Sequence, residues 1–403
     1  MRTLLVLTVL FTAQLFAQTP HPLTAELQKG RLAVSLKEGK LSGPGADLLR
    51  KELATTQFFL LGEEHATAEI ARFATALLPA AWNEGYRHLA VEVGPFSTAQ
   101  VGSYESIEAY LKRYPWSLPF LSWKEEAELY AAATKLGATI WGIDQEFILS
   151  ATPHLERLVA LAKDDAARAA AAKLLERSRA GDAEMLKTKS PATVFMFAAK
   201  AEDLAALRAT FTDPEALRLI DALEESRDIY TLGMTNGWQS NDRRAVMMKR
   251  LFAERYRAAV AKGEATPKVF VKLGATHTMR GRSMVGIYDL GNMIPELAAA
   301  NGTRSFQIMV VPRGGFVNAH RPFSPNADDK RAAYDPAKDL PFDAKPLFDA
   351  VTGTEWSLFD LRPLRVQLHR GKLEPLEPRF RNVLWGYDAI LVIPEVTPAT
   401  LFE

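Results

Sequence analysis

Polar side chains that can carry acid–base chemistry follow four apolar runs of this sequence. They are two histidines and three acidic residues: His65, His277, Glu63, Glu92 and Asp144. A neutral imidazole can take a proton from water while a carboxylate orients its ring, which suits attack on an ester or related acyl carbon. The same side chains can ligate a divalent metal that lowers the pKa of bound water. If a metal is present, its ligands would be His65, His277, Glu63 and Glu92. The residue types leave both mechanisms open.

Three of these residues stand out by their local context. Glu92 interrupts the apolar run of residues 88–93, and a buried carboxylate is costly unless it is paired. His65 comes at the start of a predicted helix, whose dipole would favour a neutral imidazole. His277 follows an apolar run and a glycine. The other histidines lack such a context and are expected at the surface or the core edge: His21, His88, His154, His320 and His369. Glu64 and Glu69 are expected to be solvated.

The apolar runs predict the strands that must position these residues. The principal runs are 57–61, which Gly62 closes, 88–93, 138–143, 268–273 and 305–311. Helical spacing over 66–82 and 121–136 separates the first three runs, as in right-handed βαβ units. Further strands at 357–361 and 388–393 are expected at the edges of the sheet. The fold class is therefore α/β, with a mainly parallel open sheet and helices on both faces. Ligands of such sheets bind beyond the carboxyl ends of the strands, where the polar residues lie.

The order of these elements suggests how the chain is divided. Residues 18–151 would form the first part of the α/β core, carrying Glu63, His65, Glu92 and Asp144. Residues 152–262, rich in Ala, Leu and charged side chains, predict a helical insertion or lid between the third and fourth strands. Residues 263–403 would complete the core with Pro-rich loops.

The N-terminus has the pattern of a cleavable signal peptide. One positive charge on Arg2 precedes an apolar run from Leu4 to Phe16, and Ala17 supplies a small residue for cleavage. This run is shorter than the roughly 20 residues that a membrane-spanning helix needs. We therefore expect residues 1–17 to be removed and the mature protein to be periplasmic or secreted, without a membrane anchor.

Composition excludes several classes of function. The 403 residues carry a formal net charge of +1, so no strong field favours nucleic acid. The chain has no cysteine, which excludes disulfides, thiolate metal sites and a cysteine nucleophile. It also lacks a G-x-S-x-G elbow, a P-loop and a G-x-G-x-x-G motif after a strand. The expected partner is a small-molecule substrate.

Several segments together resemble the erythromycin esterase-like superfamily, a clan that includes ChaN-like haem- or iron-binding proteins and TIKI/TraB proteins. The first two are LLGEEHATAE at 60–69 and GYRHLAVE at 85–92. Further matches are WGIDQ at 141–145, NDRR at 241–244 with Met247 and Met248, KLGATH at 272–277, MVG at 284–286 and YDAILV at 387–392. They occur in order over residues 57–393.

The resemblance implies a hydrolase in which His65 is the general base. Glu63 and Glu92 would orient and polarise, and His277 would complete the site. Asp144 and Arg244 would face the substrate. A single residue separates Glu63 from His65, which is closer to the ChaN-like spacing than to that of the esterases. The substrate is therefore left open. A hydrolase would require no cofactor, and the alternative is a ChaN-like protein that binds haem or a divalent metal without catalysis.

Overall fold

The structure is a computed structural model that describes residues 21–318 and 330–402. The predicted signal peptide, residues 1–17, and His320 lie outside the described residues. Within those residues, no helix is both long and apolar enough to cross a bilayer.

Two groups of strands make up the sheets of the protein. In chain order the strands are β1 (Arg31–Lys37), β2 (Lys40–Ser42), β3 (Phe58–Glu63), β4 (Tyr86–Val91), β5 (Thr139–Gly142), β6 (Lys268–Gly274), β7 (Ser305–Pro312), β8 (Phe316–Val317), β9 (Ala332–Ala333), β10 (Trp356–Asp360) and β11 (Ala389–Ile393). Nine of them form one sheet in the order β2-β1-β10-β11-β7-β3-β6-β4-β5, and β8 pairs with β9. From β11 to β5 every neighbouring pair is parallel, whereas β2, β1, β10 and β11 pair antiparallel. The predicted mainly parallel α/β sheet is confirmed.

Helices connect the strands and cover the sheet. They are α1 (Pro22–Lys29), α2 (Pro44–Thr55), α3 (Ala68–Asn83), α4 (Pro95–Ala99), α5 (Tyr104–Arg113), α6 (Lys124–Leu136), α7 (Ala151–Leu161), α8 (Asp165–Thr188), α9 (Phe195–Ala198), α10 (Ala201–Arg208), α11 (Pro214–Gly233), α12 (Gly237–Ala261), α13 (Ala275–Thr278), α14 (Leu290–Ala300), α15 (Pro336–Asp339), α16 (Lys345–Phe348), α17 (Arg365–His369) and α18 (Pro378–Gly386). Short 3-10 helices lie at Pro191–Thr193 and Arg362–Leu364.

Alternation along β3 shows how the sheet is buried on both faces. Phe59 and Leu61 pack into the core that contains residues of α3 and α6. Phe58 and Leu60 point to the opposite face, where residues of α12 and α14 cover the sheet. Because strand side chains alternate between faces, an uninterrupted apolar run is what a strand covered on both sides requires. The expectation of helices on both faces is confirmed.

The position of β10 and β11 corrects one prediction. Both were expected at the edges of the sheet, but each has a partner on either side. The reason is that β1 and β2 extend the sheet beyond β10. The segment 18–55 contains these two strands, which the apolar pattern did not predict because most of β1 is only half-buried. Edge strands on a half-covered sheet lack the continuous apolar run of a central strand.

The predicted insertion lies between β5 and β6, and it is helical from α7 to α12. Helices α7 to α11 pack around a core of their own, which includes Leu155, Phe195 and Ile220. Helix α12 differs because Met248 and Phe252 pack against the strands of the sheet. The last predicted lid helix is therefore part of the cover of the sheet. The division of the chain into a core and a lid remains a prediction.

Candidate active site

The carboxyl ends of β3, β6, β4 and β5 bring the predicted site residues together. Glu63 ends β3, and its Oε1 lies 3.1 Å from Nδ1 of His65. Nε2 of His65 lies 3.7 Å from Oε2 of Glu92, which follows β4. The other oxygen of Glu92, Oε1, lies 3.5 Å from Nε2 of His277, beyond β6. These four residues therefore form one continuous cluster of alternating carboxylates and imidazoles.

The alternation of strand side chains divides this cluster between the two faces of the sheet. Glu63 continues the row of Leu61 and lies on the face covered by α6. Glu92 continues the row of Ala90 and lies on the face covered by α12. His65 lies beyond the end of its strand, so its ring can contact carboxylates from both faces.

Gly274 permits the close approach of these side chains. Its backbone N–H donates a hydrogen bond of 2.7 Å to Oε2 of Glu92. A Cβ at this position would lie 2.7 Å from Nε2 of His65 and 3.3 Å from Oε2 of Glu92. Any side chain here would therefore displace the imidazole.

Arg244 joins the ends of β4 and β5. Its Nη2 donates to Oε1 of Glu92 at 2.7 Å and to Oδ2 of Asp144 at 2.5 Å. Its Nε donates to Oδ1 of Asp144 at 2.8 Å. Two parallel hydrogen bonds to one carboxylate fix the orientation of the guanidinium as well as its position. Both predicted substrate-facing residues, Asp144 and Arg244, are thus engaged with each other.

His277 is held between two carboxylates. Asp289, fully buried, accepts a hydrogen bond of 2.7 Å at Oδ2 from Nδ1 of His277, and its Oδ1 accepts from the backbone of Leu290. Burial disfavours the imidazolium, but the charge of Glu92 and the hydrogen bond to Asp289 outweigh it and raise the pKa of His277 to about 10. His277 is therefore a cation at neutral pH.

The environment of His65 corrects another expectation. Burial favours its neutral form, but the hydrogen bond to Glu63 and the charge of Glu92 raise its pKa above the usual value. Helix α3 begins at Ala68, after the cap at Thr67, so His65 is not in the first turn. The predicted lowering of the His65 pKa is wrong in direction, because the nearby carboxylates act more strongly than the helix dipole.

The two glutamates of the cluster are carboxylates. Burial would raise the pKa of Glu92, but the charges of His277 and Arg244 hold it well below the usual value. Burial opposes ionisation of Glu63 as well, and the charge of Lys272 together with the hydrogen bond to His65 lowers its pKa. Each buried carboxylate is thus paired, as the energetics of burial require.

Three buried residues of the site were not predicted: Lys272, Glu126 and Asp289. Nζ of Lys272 donates at 2.6 Å to Oε1 of Glu63 and at 2.6 Å to Oε1 of Glu126. One signal could have revealed Lys272, since it is a charged residue within the apolar part of β6, between Val271 and Leu273. Glu126 and Asp289 carry no comparable signal because helices and loops commonly contain exposed acids.

An aromatic wall borders the cluster. The ring of Phe120 stacks on that of His65 with 4.4 Å between centroids. Phe120 also lines a small apolar pocket together with Trp116, Trp123 and Leu401. Phe120 and Trp116 have left-handed backbone conformations, at φ 42° and 64°. Such conformations are costly for bulky side chains and are held only by well-determined surroundings.

The remaining histidines within the described residues have partners other than the four residues of this cluster. His21 caps α1 and His369 ends α17, as expected for surface positions. The expected surface or core-edge position is wrong for His154, which is fully buried with Nε2 3.6 Å from Oε1 of Glu146, and His88 is buried against Glu264. Glu69 binds the backbone and hydroxyl of Thr397. Glu64 departs from its expected solvation, because it is half-buried, and burial raises the pKa of its carboxyl to about 7.

The donor set of the cluster does not fit a divalent metal. Lys272 and Arg244 occupy oxygens of Glu63 and Glu92, and His277 holds a proton that a metal would have to displace. Among the described residues, no group of three or more His, Asp or Glu side chains is placed to hold a metal ion.

The mainly parallel sheet and the helices that cover it give this α/β protein the fold of the erythromycin esterases. Over 93% of this chain and 99% of the other, it superposes on the erythromycin esterase EreC in its open conformation, with a TM-score of 0.57 and 13% identity. A Bacillus cereus protein matches over 94% of this chain and 98% of its own, with a TM-score of 0.57 and 14% identity. A succinoglycan biosynthesis protein matches over the same shares, with a TM-score of 0.56 and 15% identity. The expected resemblance is confirmed at the level of the fold.

Comparisons by sequence gave no further relatives. No family model and no curated protein matches the chain.

Proposed function

We propose that this protein is a hydrolase that cleaves an ester or related acyl bond of a small molecule. The observation that carries the proposal is the carboxylate of Glu92 between the imidazoles of His65 and His277. The cluster lies at the carboxyl edge of the sheet, where ligands of parallel sheets bind. EreC, an esterase by name, shares the fold.

His65 is the proposed general base. Its Nδ1 donates to Glu63, which leaves Nε2 of the neutral ring free of a proton and able to take one from water. Glu63 holds the ring in this tautomer and stabilises the imidazolium that forms. The side chain of His65 is 32% exposed, so water and substrate can reach the ring. Because its pKa is raised, the rate of hydrolysis would increase with pH until the ring is neutral.

His277 has a different proposed role. At neutral pH it carries a proton and lies next to Glu92, so it is unsuited to be a base. Together with Arg244 it places fixed positive charge at this edge of the sheet. Such preorganised charge stabilises the oxyanion that develops when water attacks an acyl carbon.

A panel of nitrophenyl esters and lactones tests the proposal. His65→Gln should lower kcat/KM by about 10²- to 10⁴-fold, the usual contribution of a general base. His88→Gln is the matched control, because His88 is also buried against a glutamate but lies at the opposite end of the sheet. Full activity of His65→Gln would contradict the proposal.

The same preparation separates hydrolysis from binding. Elemental analysis and a haem titration test the alternative of a haem or metal-binding protein. Stoichiometric binding that is lost in His65→Gln, without turnover of any ester, would favour the binder over the hydrolase.

We further propose that the protein is exported to the periplasm after removal of residues 1–17. The charged start, the apolar run and Ala17 support this proposal. N-terminal sequencing of the protein from fractionated cells tests it. An intact Met1 in the cytoplasmic fraction would contradict it.

A further inference from the structure

A second buried cluster supports the proposed base from the α6 side of the sheet. It contains Glu126, Lys272 and Glu63, and a single ammonium group bridges the two carboxylates with equal distances of 2.6 Å. Lys272 is 4% exposed and Glu126 is 8% exposed. An ammonium buried this deeply is stable only with carboxylate partners.

The bridge and His65 compete for the same oxygen. Oε1 of Glu63 accepts both from Nζ of Lys272 and from Nδ1 of His65. A change in the charge or position of Lys272 therefore changes the hydrogen bond that orients the imidazole. Glu126 acts one step further away, since its carboxylate binds Lys272 and Lys272 in turn binds Glu63.

We propose that Lys272 and Glu126 are positioning residues, which fix the Glu63 carboxylate and set the strength of His65 as a base. This inference rests on the proposed function of His65. The positive charge of Lys272 offsets the negative charge of Glu63, and the negative charge of Glu126 in turn offsets that of Lys272. The sum of these charges near His65 decides how strongly its ring holds a proton.

Other charged groups surround His65, and all of them remain in place in the variants considered below. They are Glu63 and Glu64 on its own segment, Glu92 after β4 and, beyond Glu92, Arg244 and His277. Burial raises the pKa of Glu126 to about 7, so its charge changes near neutral pH. Lys272 and Glu126 lie behind Glu63, so replacing either of them alters the charge near His65 but keeps the hydrogen bond between Glu63 and the ring.

Two substitutions should move the pKa of His65 in opposite directions. Glu126→Gln keeps the shape and an acceptor oxygen but removes the negative charge that Glu126 gains as the pH rises through about 7, so the pKa of His65 should fall by about one unit. Lys272→Met removes positive charge and should raise that pKa by about one unit. A merely structural role would not produce shifts of opposite sign.

Glu125→Gln is the matched control. Glu125 is the neighbouring buried acid of α6, but it binds the backbone and hydroxyl of Thr400 and the guanidinium of Arg72. Its replacement should leave the pKa of His65 unchanged.

The measurement is an NMR titration of the full mature chain labelled with ¹⁵N-histidine, with the His65 signal assigned from His65→Gln. Because it needs no substrate, its outcome is independent of whether the protein hydrolyses esters. Opposite shifts in Glu126→Gln and Lys272→Met, with no shift in Glu125→Gln, would support the inference. Shifts of the same sign, or no shift in either variant, would overturn it. If Lys272→Met does not fold, the fall expected in Glu126→Gln decides alone.

Discussion

His65 lies beyond the carboxyl ends of the parallel strands and His88 lies near their amino ends, and each of the two faces a glutamate. Nδ1 of His65 is 3.1 Å from Glu63 at the carboxyl end of β3. Nε2 of His88 is 2.9 Å from Glu264 near the amino end of β4, and its ring stacks on Trp141. Judged by the pair alone, the two sites are equivalent.

Their surroundings are different. Glu63 shares its charge with the buried Lys272, and His65 also faces Glu92, which binds Arg244. Glu264 instead has a side chain that is 37% exposed to solvent. The difference shows that a histidine next to a glutamate is not enough for chemistry. What distinguishes the carboxyl edge is that four strand ends converge there and supply several buried charges.

The largest expected effect comes from Arg244. Arg244→Met would leave Asp144 without its cation and Glu92 with His277 as its remaining buried cation, so the free energy of unfolding at pH 7 should fall by about 3–5 kcal/mol. Denaturant unfolding measures this change. The control is Arg243→Met on the same helix, because Arg243 is half-exposed and pairs with the partly exposed Asp228. It should cost at most about 1 kcal/mol. Equal losses in the two variants would remove the distinction between buried and exposed pairs.

His277 should make stability depend on pH. Its pKa is raised to about 10 in the folded protein, above the ordinary value of 6.5 in the unfolded chain. The folded state therefore binds the proton more tightly, and this stabilisation is complete below pH 6.5 and is lost as pH rises to about 10. His277→Gln should cost about 2–4 kcal/mol at pH 6 and much less above pH 10. A pH-independent difference in the free energy of unfolding would contradict this account.

Gly274 allows a smaller and more local test. Gly274→Ala should push the imidazole of His65 away from Glu92 and lower kcat/KM for ester hydrolysis by about 10- to 100-fold. Gly237→Ala is the control, since a Cβ there meets nothing within 4 Å. Unchanged activity of Gly274→Ala would show that the contact between the two side chains is not needed.

The smallest effect is expected at the amino end of the sheet. Glu264→Gln should lower the free energy of unfolding by at most about 1 kcal/mol, because its partly exposed pair with His88 is worth little. Hydrolysis should be unaffected. A loss of activity comparable to that of His65→Gln would mean that the amino and carboxyl ends of the strands are coupled.

Much of the fold could be predicted from the sequence because buried parallel strands are continuous apolar runs. Strands β3, β6 and β7 lie within a residue or two of the predicted runs at 57–61, 268–273 and 305–311. The half-buried strands β1 and β2 were missed, and with them the true edge of the sheet. Such strands have no apolar signature, so their pairing depends on contacts distant in sequence.

By itself the sequence determined which polar residues follow the strands, and thus that Glu63, His65, Glu92 and His277 would meet at one edge. Chain order and strand ends carry that information, since parallel strands place their carboxyl ends together. Only the tertiary structure decided the charges of these groups. Lys272 and Glu63 are far apart in the chain yet 2.6 Å apart in space, and a pKa responds to distance in space. For the same reason His65 and His277, which are alike in sequence context, differ in chemistry. His277 is the clearest cation because it lies between Glu92 and the buried Asp289.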